Sequence, residues 1–391
     1  MQRRTRETRK RIIDGLVSVL VRDGLAGVTH RSVAKAAGVS LAATTRHFKS
    51  KEDMLAEATD RILGDYVSDF QKLRGRIEAD SAQGIRSLHD LLSCAVRTGL
   101  FRERDKSLAW CELILQSGRS AEGRARARLW YEKIDGSWLA ISAALPEMAS
   151  RVDTYAAIDT AIGLLFLLHP CGFTEEEFNL LISCRKSVSD LICTPPPPSS
   201  KPVQGEVSDG AERVLAAAIE VLVRSGPQAV TFRAVSEMAG LSRSAPSYHF
   251  PSVDQMLEAA QMALFERAKG RYRSAFPTRE EQPSDRITLS DLSSAIFFSE
   301  ALQHAEENLA YLTVWIRAAE RKSLRRPILA ALLDQQRAWV VRLESVGACG
   351  SNALAMEALF LGKLVRAMVA GPDIREMALA RGQFLRQMVV K

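Results

Sequence analysis

The segment Thr29 to Leu55, THRSVAKAAGVSLAATTRHFKSKEDML, returns as Thr231 to Leu257, TFRAVSEMAGLSRSAPSYHFPSVDQML. Sliding the chain on itself by about 202 positions, from Arg11 and from Arg213, matches roughly 20 of about 49 residues without a gap. One supersecondary unit therefore occurs twice, and any fold for this chain must build it twice. With 391 residues, each half is long enough to bury a core of its own.

Within the first copy, Ile12, Ile13, Leu16, Val17, Val19 and Leu20 recur at helical spacing, and Asp23-Gly24 marks an end. Thr29 is a natural N-cap for a short second helix that buries Val33, Ala34 and Ala37. Gly38 supplies the positive φ of a tight turn, and Ser40 caps a third helix reaching about His47. Two short helices joined by a glycine turn make a helix-turn-helix, the second being sized for a major groove. His47-Phe48-Lys49-Ser50-Lys51-Glu52-Asp53-Met54-Leu55 follows directly, with Ser50 placed to cap a fourth helix.

This arrangement resembles the DNA-binding domain of the tetracycline-repressor (TetR) family, over residues 5–66 and again over about 208–272. The resemblance implies an all-α fold of two tandem TetR-like units. Each would pair a three-helix DNA-binding head with a helical ligand-binding and dimerisation domain. The expected domains are 5–66, 67–193, a linker at 194–210, then 211–272 and 273–391. Helical pattern without strand-like alternation agrees from Tyr66 onward: Ile85 to Arg97, Ser107 to Gln116, Ser120 to Leu145, Asp153 to Leu168 and Thr174 to Ile192. Pro170 to Gly172 breaks the last two apart. In the second half Trp339 answers to Trp138 and Gly362 to Gly163, while Gly371-Pro372 answers to the break and Ile374 to Val390 forms the final helix. The linker TPPPPSSKPVQGEVSDG favours polyproline II and could reach about 50 Å.

The two heads are unequal. Within the homologous windows Arg31, Lys35, Arg46, Lys49 and Lys51 stand against Glu52 and Asp53 in the first, about +3. Arg233 and Arg243 stand against Glu237 and Asp254 in the second, about zero. Residues 1–11 add about five net positive charges before the first head, read as a solvated tail that can follow DNA as an arm through Arg3 and Arg4. Backbone neutralisation dominates non-specific affinity, so the first head is expected to hold DNA more strongly. The net charge of +7 favours a polyanionic partner.

The family's third helix usually carries a tyrosine on a phosphate where Thr45 and Ser247 stand here, and neither copy keeps it. The lysine that begins the family's fourth helix is Lys51 in the first copy but Val253 in the second. Candidate DNA contacts in the first head are Thr29, Arg31, Ser40, Leu41, Ala42, Thr44, Thr45, Arg46, His47 and Lys51. In the second they are Thr231, Arg233, Arg243, Ser244, Ser247, Tyr248 and His249. Phe48 and Phe250 are read as core. Trp110, Leu113, Trp130 and Trp138 are candidates for a ligand pocket, with plain core packing as the alternative.

Six cysteines, Cys94, Cys111, Cys171, Cys184, Cys193 and Cys349, show neither zinc spacing nor the period of the repeat, so they read as buried reduced thiols, with a redox switch as the alternative. No nucleophile elbow, phosphate loop or metal-spaced set is recognisable, so neither enzymatic activity nor a metal or cofactor is expected. No stretch reads as a membrane span, and the basic N-terminus lacks the apolar run of a signal peptide, which gives a cytoplasmic expectation. The expected partners are a double-stranded DNA operator and a small-molecule effector. The chain would act as an intramolecular pseudo-dimer. Alternatives are a homodimer of tandem chains using only the first heads, or a binding module that has given up DNA.

Overall fold

The computed structural model describes the chain except residues 1, 81–83, 148, 193–208, 276–282 and 390–391, together with the side chains of 2–4, 272, 273, 275, 323 and 376. The expected linker at 194–210 and Cys193 fall almost wholly outside the described residues, as do the side chains of Arg3 and Arg4. Among the described residues all regular structure is helical.

The helices in the first half are α1 (Gln2–Gly27), α2 (His30–Ala37), α3 (Leu41–His47), α4 (Lys51–Glu78), α5 (Leu88–Arg97), α6 (Arg104–Ser117), α7 (Ala121–Ser142), α8 (Arg151–Leu168), α9 (Glu175–Ile182) and α10 (Val188–Leu191). In the second half they are α11 (Asp209–Ser225), α12 (Phe232–Ala239), α13 (Ala245–His249), α14 (Val253–Ala275), α15 (Arg286–Gln303), α16 (Ala305–Arg317), α17 (Lys322–Ser345), α18 (Ala353–Ala370) and α19 (Ile374–Gln387). Short polar side chains start many of them. Thr29 with Ser32, Ser50 with Asp53, Ser87 with Asp90, Thr174 with Glu177 and Ser187 with Asp190 form reciprocal capping boxes.

Two boundaries differ from the sequence reading. The basic leading residues are helical from Gln2, and α1 bends at Gly24 (φ 69°, ψ −173°) instead of ending there. The expected single helix Thr174 to Ile192 is two, because Cys184 takes a left-handed conformation (φ 54°). The N–H groups of Arg185 and Lys186 turn back to the Leu180 carbonyl, which closes α9 before Ser187 opens α10.

The chain forms two compact units that cross the midpoint of the repeat. The first comprises Met1–Leu165 with Leu361–Gly371, and the second Phe166–Phe360 with Pro372–Lys391. In the first, α1 packs on α2, α4 and α6, and Ile12, Leu16, Val19, Leu20, Val33, Phe48 and Met54 are all buried. In the second, Val214, Ala218, Leu222, Val235, Met256 and Leu264 form the corresponding head core. The short turn His169–Cys171, closed by Gly172 at φ 63°, packs there on α16 and α17. Helix α8 and its extension, Arg151–Cys171, have the length and composition of a membrane span, but 83% of the apolar window is buried inside the protein.

Buried polar groups in the first unit join distant sequence. Arg366 of α18 donates through both Nη atoms to the Asp135 carboxylate, at 2.8 and 3.0 Å, and through Nε to Asp159 at 2.7 Å. Lys363 Nζ donates to the other Asp159 oxygen at 3.3 Å, and the Arg366 guanidinium lies 4.3 Å from the centre of the Tyr131 ring. Gly362 permits the approach: a Cβ there would stand 1.7 Å from the Asp159 carbonyl oxygen. The attraction of two carboxylates outweighs desolvation and holds the Arg366 guanidinium firmly charged.

In the second unit, Glu357 of α18 is buried against the Gln336 amide of α17, and burial pushes its carboxyl up to about 8. The folded chain thus keeps a proton that the unfolded chain, near the ordinary 4.5, has released. This contribution to stability is complete below the unfolded value and is lost as pH rises towards about 8. Urea midpoints are therefore expected to fall between about pH 5 and pH 8. Glu357→Gln, which has nothing to titrate, should flatten that part of the profile.

Candidate nucleic-acid interface and effector cavity

The first head is assembled around a glycine turn. Gly38 (φ 60°) closes α2 with its N–H on the Lys35 carbonyl, and the Ser40 hydroxyl accepts from Ala43 N–H to start α3. Arg11 locks the turn from α1, its Nη2 donating to the carbonyls of Ala37 (2.9 Å) and Gly38 (2.7 Å). Arg213 repeats this contact on Ala239 at 3.1 Å. Both are where the repeat begins, a signal legible in the sequence but not read there as a clamp.

The structure sorts the candidate residues. Arg31, Leu41, Ala42, Thr45 and Arg46 are exposed, and Arg31, Lys35, Arg46 and Lys49 make no ion pair among the described residues. Thr29 and Ser40 are exposed but use their hydroxyls as caps. His47 is half-buried. Thr44 is a correction: it is fully buried, its hydroxyl donating to the Leu41 carbonyl at 2.7 Å, because it stands one turn before Phe48 on the core face.

Lys51 is a second correction. Instead of reaching outward it is half-buried, and its Nζ donates to the Leu25 carbonyl at 2.6 Å; burial lowers its pKa. Arg9, though exposed, is engaged by its own head, donating to both Glu57 oxygens at 2.8 and 3.0 Å and covering the Phe48 ring. Part of the basic segment that composition assigns to an arm thus holds the head together.

In the second head Thr231 caps α12, and Gly240 (φ 62°) makes the same turn. Helix α13 is only a short Ala245–His249 stretch with buried Pro246 near its start, and Ser244 caps nothing. Ser247 donates to the Ser244 carbonyl, Tyr248 is 86% exposed, and its ring meets His249 edge-on at 5.1 Å. Arg243 is exposed, whereas Arg233 is engaged by Glu237 at 2.9 Å. This pairing uses one of the few positive charges on an already neutral head.

Behind the first head lies a cavity of about 500 Å³ lined by Tyr66, Phe70, Trp110, Trp130, Ile134, Trp138 and Leu165. Trp110 and Trp130 sit 5.0 Å apart, and Phe70 meets Trp138 edge-on at 5.8 Å. Lys72, Arg76, Arg102, Asp69 and Glu103 surround it, and the π-helical turn Thr98–Arg102 forms part of the wall. Of the sequence candidates, Trp110, Trp130 and Trp138 line it. Leu113 does not: it is buried in the packing of α6, one turn beyond Trp110. Among the described residues no group of three or more His, Cys, Asp or Glu is arranged to hold a metal.

A paired, glycine-turned helix with an exposed basic face defines a helix-turn-helix protein of the DNA-binding class. The family model described as bacterial regulatory proteins, tetR family, matches twice, over residues 12–58 and 214–260. The chain thus carries two tandem TetR-type units, and the family they match is one of DNA-binding transcriptional regulators. Among curated proteins no relative matches it.

Because Lys51 holds the Leu25 carbonyl, Lys51→Ala should lower stability by about 1–2 kcal/mol. Lys49→Ala, at an exposed position without an ion pair among the described residues, should stay within about 0.5 kcal/mol. Chemical unfolding of the two variants separates an internal tether from a surface charge.

Proposed function

We propose that the chain is a ligand-responsive repressor that works as a covalent pseudo-dimer on an operator with two different half-sites. The cluster at Asp159 carries this reading. Its acids, Asp135 and Asp159, come from the first half and its bases, Lys363 and Arg366, from the second. At the spacing set by Gly163 and Gly362, Leu164 and Leu167 stand where Lys363 and Arg366 do. Two first halves brought together in the same way would bury Asp159 against leucine. Losing one partner of a buried pair costs about 3–5 kcal/mol, so unlike halves are favoured over like ones.

The aromatic cavity behind the first head supports a small apolar effector, and the unlike faces of α3 and α13 support unlike half-sites. Light scattering at micromolar concentration should give a mass near 43.1 kDa; a value near twice that would count against the monomeric pseudo-dimer.

The neutral second head favours one variant of this reading, in which the first head alone supplies the grip. Arg46→Ala should then weaken operator binding in gel shifts and lower the salt slope by about one, while Arg243→Ala changes little. Equal losses from both substitutions would restore the second head to full partnership.

A further inference from the structure

We infer that effector sensing is one-sided: the first cavity is wired to the first head through the backbone of Leu25, and the second half has turned both cavity and wire into fixed structure. This rests on the ligand-responsive reading above.

The wire consists of three residues from three helices. Leu25, just after the bend at Gly24, is buried; its N–H donates to Glu112 Oε2 at 3.2 Å, and its carbonyl accepts from Lys51 Nζ at 2.6 Å. The Val28 N–H shares that carbonyl at 3.3 Å. Glu112 sits on α6, two residues from Trp110 in the cavity wall, and is itself 3% exposed. Lys51 begins α4, directly after α3 and its exposed face. A molecule that displaces Trp110 shifts α6, and Glu112 carries the shift to Leu25 and thence to the start of α4. Buried charge-assisted bonds of this kind resist stretching, so the elements move together.

The second half keeps the bend and loses the wire. Gly226 repeats the positive φ of Gly24, at 80°. The residue after it is Pro227, which has no N–H to give. At the spacing set by Trp138 and Trp339, Glu112 answers to Thr313, whose hydroxyl donates to Leu309 within its own helix at 2.8 Å. Lys51 answers to Val253. None of the three positions keeps the contact: Pro227 has no donor, Val253 has none either, and the Thr313 hydroxyl is turned into its own helix.

The counterpart of the cavity is altered as well. Asp69 and Gly99, which line it, answer to Arg271 and Glu300. Arg271 donates to Glu300 at 3.0 Å, to Glu307 at 2.5 Å and to Asn308 at 2.7 Å, while the Asn308 amide returns to Glu300 at 2.9 Å. Trp110 answers to Tyr311, stacked on Phe265 at 5.4 Å. A mutually satisfied ionic network joins α14, α15 and α16 there, where the first half has Asp69 and Gly99 on the cavity wall.

The test is hydrogen exchange on the full chain, with the aromatic anion 8-anilinonaphthalene-1-sulfonate as probe and tryptophan quenching as the measure of its binding. Exchange across residues 25–51 should change by about fivefold at saturation, while residues 227–253 stay as they were. Glu112→Ala should remove the response but leave the dye titration unchanged, since Glu112 does not line the cavity; Glu112→Gln, which keeps an acceptor, should restore it. Ala161→Phe fills the cavity from its wall and should reproduce the response without dye, so a dye that fails to bind leaves this variant to decide. Equal responses in the two heads, or a response that survives Glu112→Ala, overturn the inference. So does silence of the first head towards both dye and filler. Exchange is read without DNA, so failure to bind any operator would defeat the regulator reading separately.

Discussion

Asp159 is a buried carboxylate in the middle of an apolar helix, and the first compact unit depends on its being neutralised. Neutralisation comes from Lys363 and Arg366, more than half the chain away in sequence, across a helix contact that only a glycine at 362 allows. An unpaired charge in that position would cost several kcal/mol, a large fraction of the whole stability of a domain. The last turns of α18 are therefore structural members of a unit otherwise built from the first half.

The heads were the legible part of this chain, because their determinants are local. Thr29, Gly38, Ser40 and Ser50 announce caps and a turn within a few residues of where they act, and the structure uses each of them so. The aromatic cavity was half legible: three tryptophans reached its wall, but Leu113 could not be separated from them by residue type. Thr44 illustrates the limit of reading a short helix by chemistry alone, since the rotation of a single residue, about 100°, separates buried Thr44 from exposed Thr45.

Long-range polar contacts were illegible. Nothing near Glu112 or Lys51 distinguishes a side chain that holds the Leu25 backbone from one on a solvated face. Composition also misled where charges were counted without their partners. Arg9, Arg11 and Lys51 add to the positive sum, yet each is spent on holding the head together. Within the repeated window, Arg31, Lys35, Arg46 and Lys49 are the cations left facing outward.

The asymmetry of the Asp159 cluster also bears on how such a chain can change over time. While two halves are identical, a fused gene can split again and each product can pair with its own copy. Once one half holds the acids and the other the bases, separation strands a buried charge on both sides. Reversal then needs Asp159, Lys363 and Arg366 to change together, since each single step removes a partner from a buried cluster whose remaining charges no longer match. Gly362 adds a steric barrier of the same sense, because a side chain there would drive the helices apart. The duplication is held in place by chemistry and works as a ratchet, which frees the two heads to diverge without the halves ever parting.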